Sequence, residues 1–286
     1  DQARRIVPSL IILADEDAFR DAYGTQLRDR YFRQGTEDLL EGVSTVERID
    51  DDGHQAASRC RGQVTLVDHT PDPDAAVISA LLFAAGSGPL DACLRTARSM
   101  AGAQRLELVR SALSSLSEFD APPRAFEDAS FRFELVVDAS AMAQLKRHRM
   151  TTQHWGPYDP ELGVTVPPEI DEVGEGTTFS AMADRTAEVY HALRASLAAR
   201  GGPVEPADYA LTNAHRRRVA LTMNLRELYH FSRLREDRHA QWAIREVASD
   251  LSALVRDVAP ISAMLVGGKD RFSEIYRGAM GRDPAP

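Results

Sequence analysis

Cysteine is nearly absent from this chain. Cys60 and Cys93 are the only two among 286 residues, too few for a disulfide framework and without the Cys-x-x-Cys spacing of a structural zinc site. A reducing, cytoplasmic setting is therefore expected. Long apolar runs are missing too: the longest, near 77–85, is about half of the ~18 residues that a membrane span needs. No basic stretch followed by an apolar one opens the chain, so neither a membrane anchor nor an export signal is expected. Glycine and proline are sparse, at 18 and 15 residues, which excludes collagen-like and low-complexity chains. Positive charge is in deficit, with a formal net charge of −9. General attraction to nucleic acid is thus disfavoured, and any anionic ligand must be held by a local basic cluster. Gly-rich phosphate loops, His-Glu-x-x-His and Gly-x-Ser-x-Gly do not occur.

What is present suits a globular protein: 43% of the residues are hydrophobic and 27% charged. The length predicts one main domain plus an appendage. In the first 50 residues Ile11, Ile12, Phe19, Tyr23, Leu27, Tyr31 and Phe32 recur at helical spacing, and a polar stretch to Gly62 reads as a linker. The expected division is therefore a helical N-terminal extension and linker, 1–62, and a main domain, 63–286. Because the chain opens on Asp1 rather than Met, a processed product or a part of a longer polypeptide is expected.

Within the main domain, 64–67 is a short β-rich run, and Thr70 to Asp74 opens a helix through Ala84. Two helices are expected in 88–117, split around 100–103. Phe131, Phe133 and Leu135 alternate with Arg132 and Glu134 before an apolar end, the pattern of a strand with a covered face. A helix over 140–149, a Gly- and Pro-rich loop over 154–168, and long helices over 178–200 and 224–259 follow. The expected class is α/β or α+β, helix-rich, with a small sheet flanked by long helices.

Two clusters combine arginine with histidine. One is Lys146-Arg147-His148-Arg149; the other is His215-Arg216-Arg217-Arg218, with Arg226, Arg233, Arg235, Arg238 and His239 downstream. Guanidinium groups bind phosphate oxygens bidentately, so such clusters suit a phosphorylated ligand. The same residues also suit a solvated face paired with Glu227, Glu236 and Asp237. Arg226, Phe231 and Arg235 cannot share one side of a helix. Asp68, His69 and Asp72 read either as metal ligands or as turn and cap residues, and Glu127-Asp128 either as a ligand site or as a turn.

Taken in order, Phe126-Glu127-Asp128-Ala129-Ser130-Phe131-Arg132-Phe133, Gln144 through Arg149, Met223-Asn224-Leu225-Arg226, Leu234-Arg235 and His239-Ala240-Gln241-Trp242 resemble the flavin-dependent thymidylate synthases over about 63–260. The resemblance implies an α/β fold assembled as a tetramer, with FAD and dUMP bound where subunits meet. It also implies methylenetetrahydrofolate and NADPH as co-substrates, with C5 of the pyrimidine methylated without a nucleophilic side chain on the protein. Carried over position by position, it places Gln144, Arg147 and Arg235 on the nucleotide. Arg147, His148, Arg149, Asn224, His230 and His239 fall at the flavin.

Departures from the family pattern are concentrated. Where the signature continues to a Ser-x-Arg, this chain has Pro157, Tyr158 and Asp159. A further expected Arg is Asp208, the His after Phe-Glu is Asp128, and a flavin-side Asn is His230. Carboxylates where a phosphate needs cations would cost several kcal/mol. The expectation is therefore a homo-oligomer or a pairing with a second, synthase-like half that supplies the Ser-x-Arg loop. The chain also resembles the C-terminal half of longer, two-repeat members. The alternative is a catalytically silent flavin- or nucleotide-binding scaffold or regulatory subunit of an active paralogue.

Overall fold

The computed structural model describes residues 59–284. By backbone contacts the chain divides into Asp1–Gln55 and Ala56–Pro286, and the description concerns the second unit. The helical pattern expected in the first 50 residues lies outside the described residues.

Alternation of apolar and polar side chains builds one antiparallel sheet. Its strands are β1 (Arg59–Arg61), β2 (Val64–His69), β3 (Ser130–Asp138), β4 (Thr152–Tyr158) and β5 (Arg216–Asn224), arranged β1-β2-β3-β5-β4. The register sets Leu66, Phe133 and Leu221 side by side, and likewise Val64, Leu135 and Val219. All six are buried, whereas Arg132, Arg218 and Ala220 on the opposite face are exposed. One face of the sheet is thus covered and the other open, the usual condition of an antiparallel sheet.

Helices cover the apolar face. The described helices are α1 (Pro73–Ala84), α2 (Leu90–Ser99), α3 (Gly102–Leu113), α4 (Ala139–Leu145), α5 (Pro168–Glu172), α6 (Gly176–Ala199), α7 (Leu225–Arg235), α8 (Trp242–Val258) and α9 (Phe272–Met280). The fold is helix-rich α/β, and no helix among the described residues is long and apolar enough to cross a membrane. The amphipathic stripe of α8, with Ile244, Val247, Leu251 and Leu254 buried, packs on β1, β2 and α4. Burying each such side chain contributes about 1.5–3 kcal/mol.

The structure adds the strand β5, which the sequence reading left unassigned, and differs from that reading at four further places. The helix expected over 224–259 is two helices, because Asp237 accepts the His239 N–H at 2.9 Å and Gln241 caps α8 through the Ile244 N–H at 3.1 Å. The loop expected from 154 begins as strand β4, which tolerates Gly156 and Pro157 because it is an edge strand with an irregular register between Trp155 and Tyr158. The helix expected to reach 149 stops at Leu145, and 146–150 form turns. Arg59–Arg61, read as linker, forms the outer strand β1 on β2.

A buried carboxylate joins the two ends of the described chain. Asp74, in the first turn of α1, accepts the Ile261 N–H at 3.2 Å and the Ser262 N–H at 2.7 Å, and also the Ser262 hydroxyl. Tyr229 of α7 donates to the Ser262 carbonyl at 2.7 Å, so the segment after α8 is held from both sides. Removing the acceptor leaves buried donors unpaired. Asp74→Ala is expected to destabilise the protein by about 2–3 kcal/mol and Asp74→Asn by less, as read from the midpoint of urea unfolding.

Candidate functional site

The first basic cluster hangs from the strand β3. Asp138 ends β3 and caps α4 by accepting the Ala141 N–H at 2.9 Å. After Leu145 the chain turns, with the His148 N–H on the Leu145 carbonyl at 3.0 Å. Gln153 of β4 fastens that turn, donating to the Leu145 carbonyl at 3.1 Å and to the Thr151 hydroxyl at 2.6 Å. The turn presents Lys146, Arg147 and Arg149 outward and His148 inward.

Helix α7 receives His148. Asn224, the last residue of β5, caps α7 by accepting the Glu227 N–H at 2.8 Å. Glu227, Phe231 and Arg235 follow at four-residue spacing, so they share one stripe of the helix. The His148 side chain is 2% exposed and touches all three. Nδ1 lies 3.3 Å from Glu227 Oε1, the ring stands edge-on to Phe231 with centroids 4.6 Å apart, and Nε2 accepts from Arg235 Nε at 2.9 Å. A guanidinium can only donate, so Nε2 carries no proton and the ring's proton sits on Nδ1, facing the carboxylate. Arg235 Nη1 also donates to Gln144 Oε1 at 2.8 Å. Two of its five N–H groups are thereby used.

Charge around Arg235 is unbalanced. Burial pushes its guanidinium below the usual range, and neighbouring Arg147 pushes it the same way. Among the described residues no carboxylate forms an ion pair with Lys146, Arg147, Arg149 or Arg235. A half-buried cation next to a second cation, with donors to spare, is an arrangement that binds an anion.

The second basic cluster disperses. Arg216 donates to the Thr165 hydroxyl at 3.0 Å, and Arg217 donates to the Gly156 carbonyl at 2.9 Å and stacks on Tyr158. Arg218 pairs with Glu134, and Arg226 pairs with Glu127 at 3.2 Å. Arg226 and Arg235 do leave opposite sides of α7. Arg233 is buried over the Phe272 ring, donates to the carbonyls of Glu118 and Asp120, and leaves Nε and Nη2 without partners. Burial lowers its pKa. Only Arg235 of this cluster joins the 146–149 turn.

The structure therefore brings Gln144, Arg147, His148 and Arg235 together, and exposed His230 lies 5.8 Å from the His148 ring. Asn224 is engaged as a helix cap, and His239 is exposed beside Asp237 at 2.8 Å. His148, expected at the flavin, has its side chain enclosed by its own chain. Glu227 was read from sequence only as a partner on a solvated face, and Gln153 was not singled out. Four-residue spacing from Glu227 to Arg235 was the available signal for the first, and Gln153 offered none. Asp68 accepts from the His69 N–H, His69 Nδ1 donates to the Thr70 carbonyl, and Asp72 caps α1 and pairs with Arg105. Among the described residues no group of three or more His, Cys, Asp or Glu is placed to hold a metal. A cavity of about 320 Å³ lined by Asp138, Phe179, Met182 and Trp242 opens at the far end of α4 and includes none of the cluster's arginines.

The family model described as thymidylate synthase complementing protein matches residues 65–261. The chain belongs to that family. It is 32% identical over 206 residues to a flavin-dependent thymidylate synthase of Geobacter sulfurreducens, covering 69% of this chain and 84% of the relative. Another of that name, from Clostridium tetani, is 27% identical over 219 residues with the same coverage. A UPF0159 protein of Thermoplasma acidophilum is 29% identical over 144 residues, half of this chain but 28% of that longer protein. The matched region contains the Gln144–Arg235 cluster and both of its supporting strands.

The divergent positions are built into the fold of this family member. Pro157 and Tyr158 end β4, where Tyr158 lies 4.6 Å from the Arg217 guanidinium, and Asp159 accepts the Glu161 N–H at 3.1 Å. Asp208 lies in a 3₁₀ turn, Glu205–Ala210.

Burial separates the histidines by consequence. His148→Ala is expected to destabilise by about 3 kcal/mol, since it leaves Glu227 buried without its partner. His230→Ala and His239→Ala should stay within about 0.5 kcal/mol. Urea unfolding of the three variants checks the ranking.

Proposed function

We propose that this chain is a component of a flavin-dependent thymidylate synthase enzyme that methylates C5 of dUMP or UMP. Methylenetetrahydrofolate is the carbon donor in this reading, with NADPH as the reductant and the cytoplasm as the setting. The observation that carries it is the pair Arg147 and Arg235, cations without carboxylate partners among the described residues, in a protein of net charge −9. Arg147 and Arg235 bind the phosphate and a pyrimidine carbonyl, and Gln144 positions the base and Arg235 together. Arg149, Asn224, His230 and His239 hold the flavin, whereas His148 acts from behind Arg235. The donor set fits FAD in kind, because exposed arginine and imidazole groups beside an anion site suit a ligand with both phosphates and a polar heteroaromatic ring. When bound, FAD supplies the redox chemistry that the side chains lack.

The site is shared. Pro157, Tyr158 and Asp159 occupy the positions of the Ser-x-Arg loop, and Asp208 that of a further arginine, so the remaining phosphate cations come from another subunit or a homologous half. The exposed apolar side chains of α6, Met182, Val189 and Leu193, give such a contact a surface. Relatives several times longer than the matched segment agree with an arrangement in halves. The same divergent positions favour a second reading, a silent nucleotide-binding scaffold of an active paralogue.

Absorbance and native mass of the purified chain come first: a flavin spectrum on an oligomer is expected. With the flavin-loaded assembly, Arg147→Ala should lower methylation of dUMP or UMP about 10²–10⁴-fold, from two charge-assisted contacts at about 1.5–3 kcal/mol each. A silent scaffold would leave methylation by the co-expressed paralogue intact. A colourless monomer that binds neither nucleotide would refute the proposal.

A further inference from the structure

We propose that Glu227 is the positioning residue of the anion site, acting through His148 to aim Arg235. This inference rests on the reading of Arg235 as a ligand-binding cation, and it adds a residue that no part of that reading requires. Glu227 is buried, with its side chain 8% exposed, and it faces the Nδ1–H of a His148 side chain that is 2% exposed. A carboxylate in that position needs a donor, because an unpaired buried charge is costly. His148 supplies it, and so its other nitrogen is left as an acceptor. That acceptor takes the Nε–H of Arg235 at 2.9 Å, while Gln144 takes an Nη1 N–H at 2.8 Å. Bonds at Nε and Nη1 fix the plane of the guanidinium from two sides. Three N–H groups, the second on Nη1 and both on Nη2, are then presented in a set direction.

Each member is indispensable to the direction of the chain of bonds. If Nε2 of His148 carried the proton it would oppose the Arg235 donor, and Nδ1 would oppose Glu227 with a lone pair. A carboxylate only accepts and a guanidinium only donates, so the imidazole between them has one orientation and one tautomer. The logic is that of an outer partner which orients a ligand-binding side chain through a histidine. Phe231 closes the ring's edge at 4.6 Å between centroids, which keeps water from replacing either bond. Glu227 and Arg235 sit two turns apart on α7, so the helix itself sets the span that one imidazole bridges.

The test uses the full chain with ¹⁵N-labelled histidine and arginine. In the wild type, His148 is expected to carry its proton on Nδ1, with the Arg235 Nε–H exchanging slowly with water. Glu227→Gln, whose amide oxygen still accepts, should retain the slow Nε–H, and Glu227→Ala should lose it. Should Glu227→Ala not fold, Glu227→Asp, whose carboxylate stops one methylene short, serves the same comparison. A proton on Nε2, or a Nε–H unchanged when the carboxylate is removed or withdrawn, overturns the proposal. In calorimetric titration with dUMP, Glu227→Ala should weaken binding about 10-fold or more and Glu227→Gln about 3-fold or less. In an Arg235→Ala background Glu227→Ala should add under about twofold, since both changes remove the same aimed donor. Effects that multiply would mean that Glu227 serves general stability only and would overturn the role. If the wild type binds no dUMP, the titration is run with UMP; if it binds neither, the functional reading fails, and the labelled side chains alone decide the role of Glu227.

Discussion

The imidazole of His148 is held between a carboxylate that can only accept and a guanidinium that can only donate, and the geometry of the site follows from that constraint. Its 3.3 Å and 2.9 Å bonds tie the turn after α4 to α7. Those two helices leave neighbouring antiparallel strands, β3 and β5, with Asp138 of one opposite Arg216 of the other. The caps Asp138 and Asn224 start each helix at the strand end, so sheet register determines where the helices lie. The histidine then converts that placement into the direction of one arginine. A salt bridge made directly between Glu227 and Arg235 would have quenched the cation. Inserting an imidazole keeps the guanidinium oriented while leaving its charge available.

The same economy runs through the remaining arginines. Those of β5 are consumed by the sheet and its edges: Arg218 by Glu134 across the open face, Arg217 by Gly156 and the Tyr158 ring, Arg216 by Thr165. Arg226 is held by Glu127, whose carboxyl the Arg124 guanidinium keeps below the usual range. Arg147, Arg149 and Arg235 also lack a carboxylate opposite them among the described residues, and Arg147 stands near enough to Arg235 to lower its pKa, in a chain where carboxylates outnumber basic groups.

The sheet's covered face was legible because Phe131, Phe133 and Leu135 alternate with charged residues, and that alternation has a direct physical reading. Strand β5 carries the same alternation at Val219, Leu221 and Met223, but three arginines at its start drew attention to charge instead. Strand β4 was hidden by Gly156 and Pro157, which an edge strand tolerates and an interior one does not. The break between α7 and α8 depends on side chains that bond locally, Asp237 and Gln241, within a run whose apolar spacing continues across it. At the site, the resemblance to the family led to Gln144, Arg147 and Arg235. It could not tell that His148 is enclosed, because enclosure depends on Phe231 and Glu227 arriving from 79 and more residues away.

Completeness is an electrostatic question. Arg235 is already displaced from its ordinary pKa by burial and by Arg147, so the cluster holds positive charge at a cost in free energy. Closing it with a carboxylate from the same chain would remove that cost, and Asp159 stands just past the end of β4. Yet Asp159 is committed to capping the turn at Glu161, and β4 directs the Tyr158 ring onto Arg217 instead of toward the 146–149 turn. Among the described residues the cation pair thus stays without a carboxylate, while the neighbouring loop serves its own edge. An uncompensated pair is sustainable when an anion or another polypeptide completes it, and that requirement is the physical basis for placing the rest of the proposed nucleotide site on a second subunit or half.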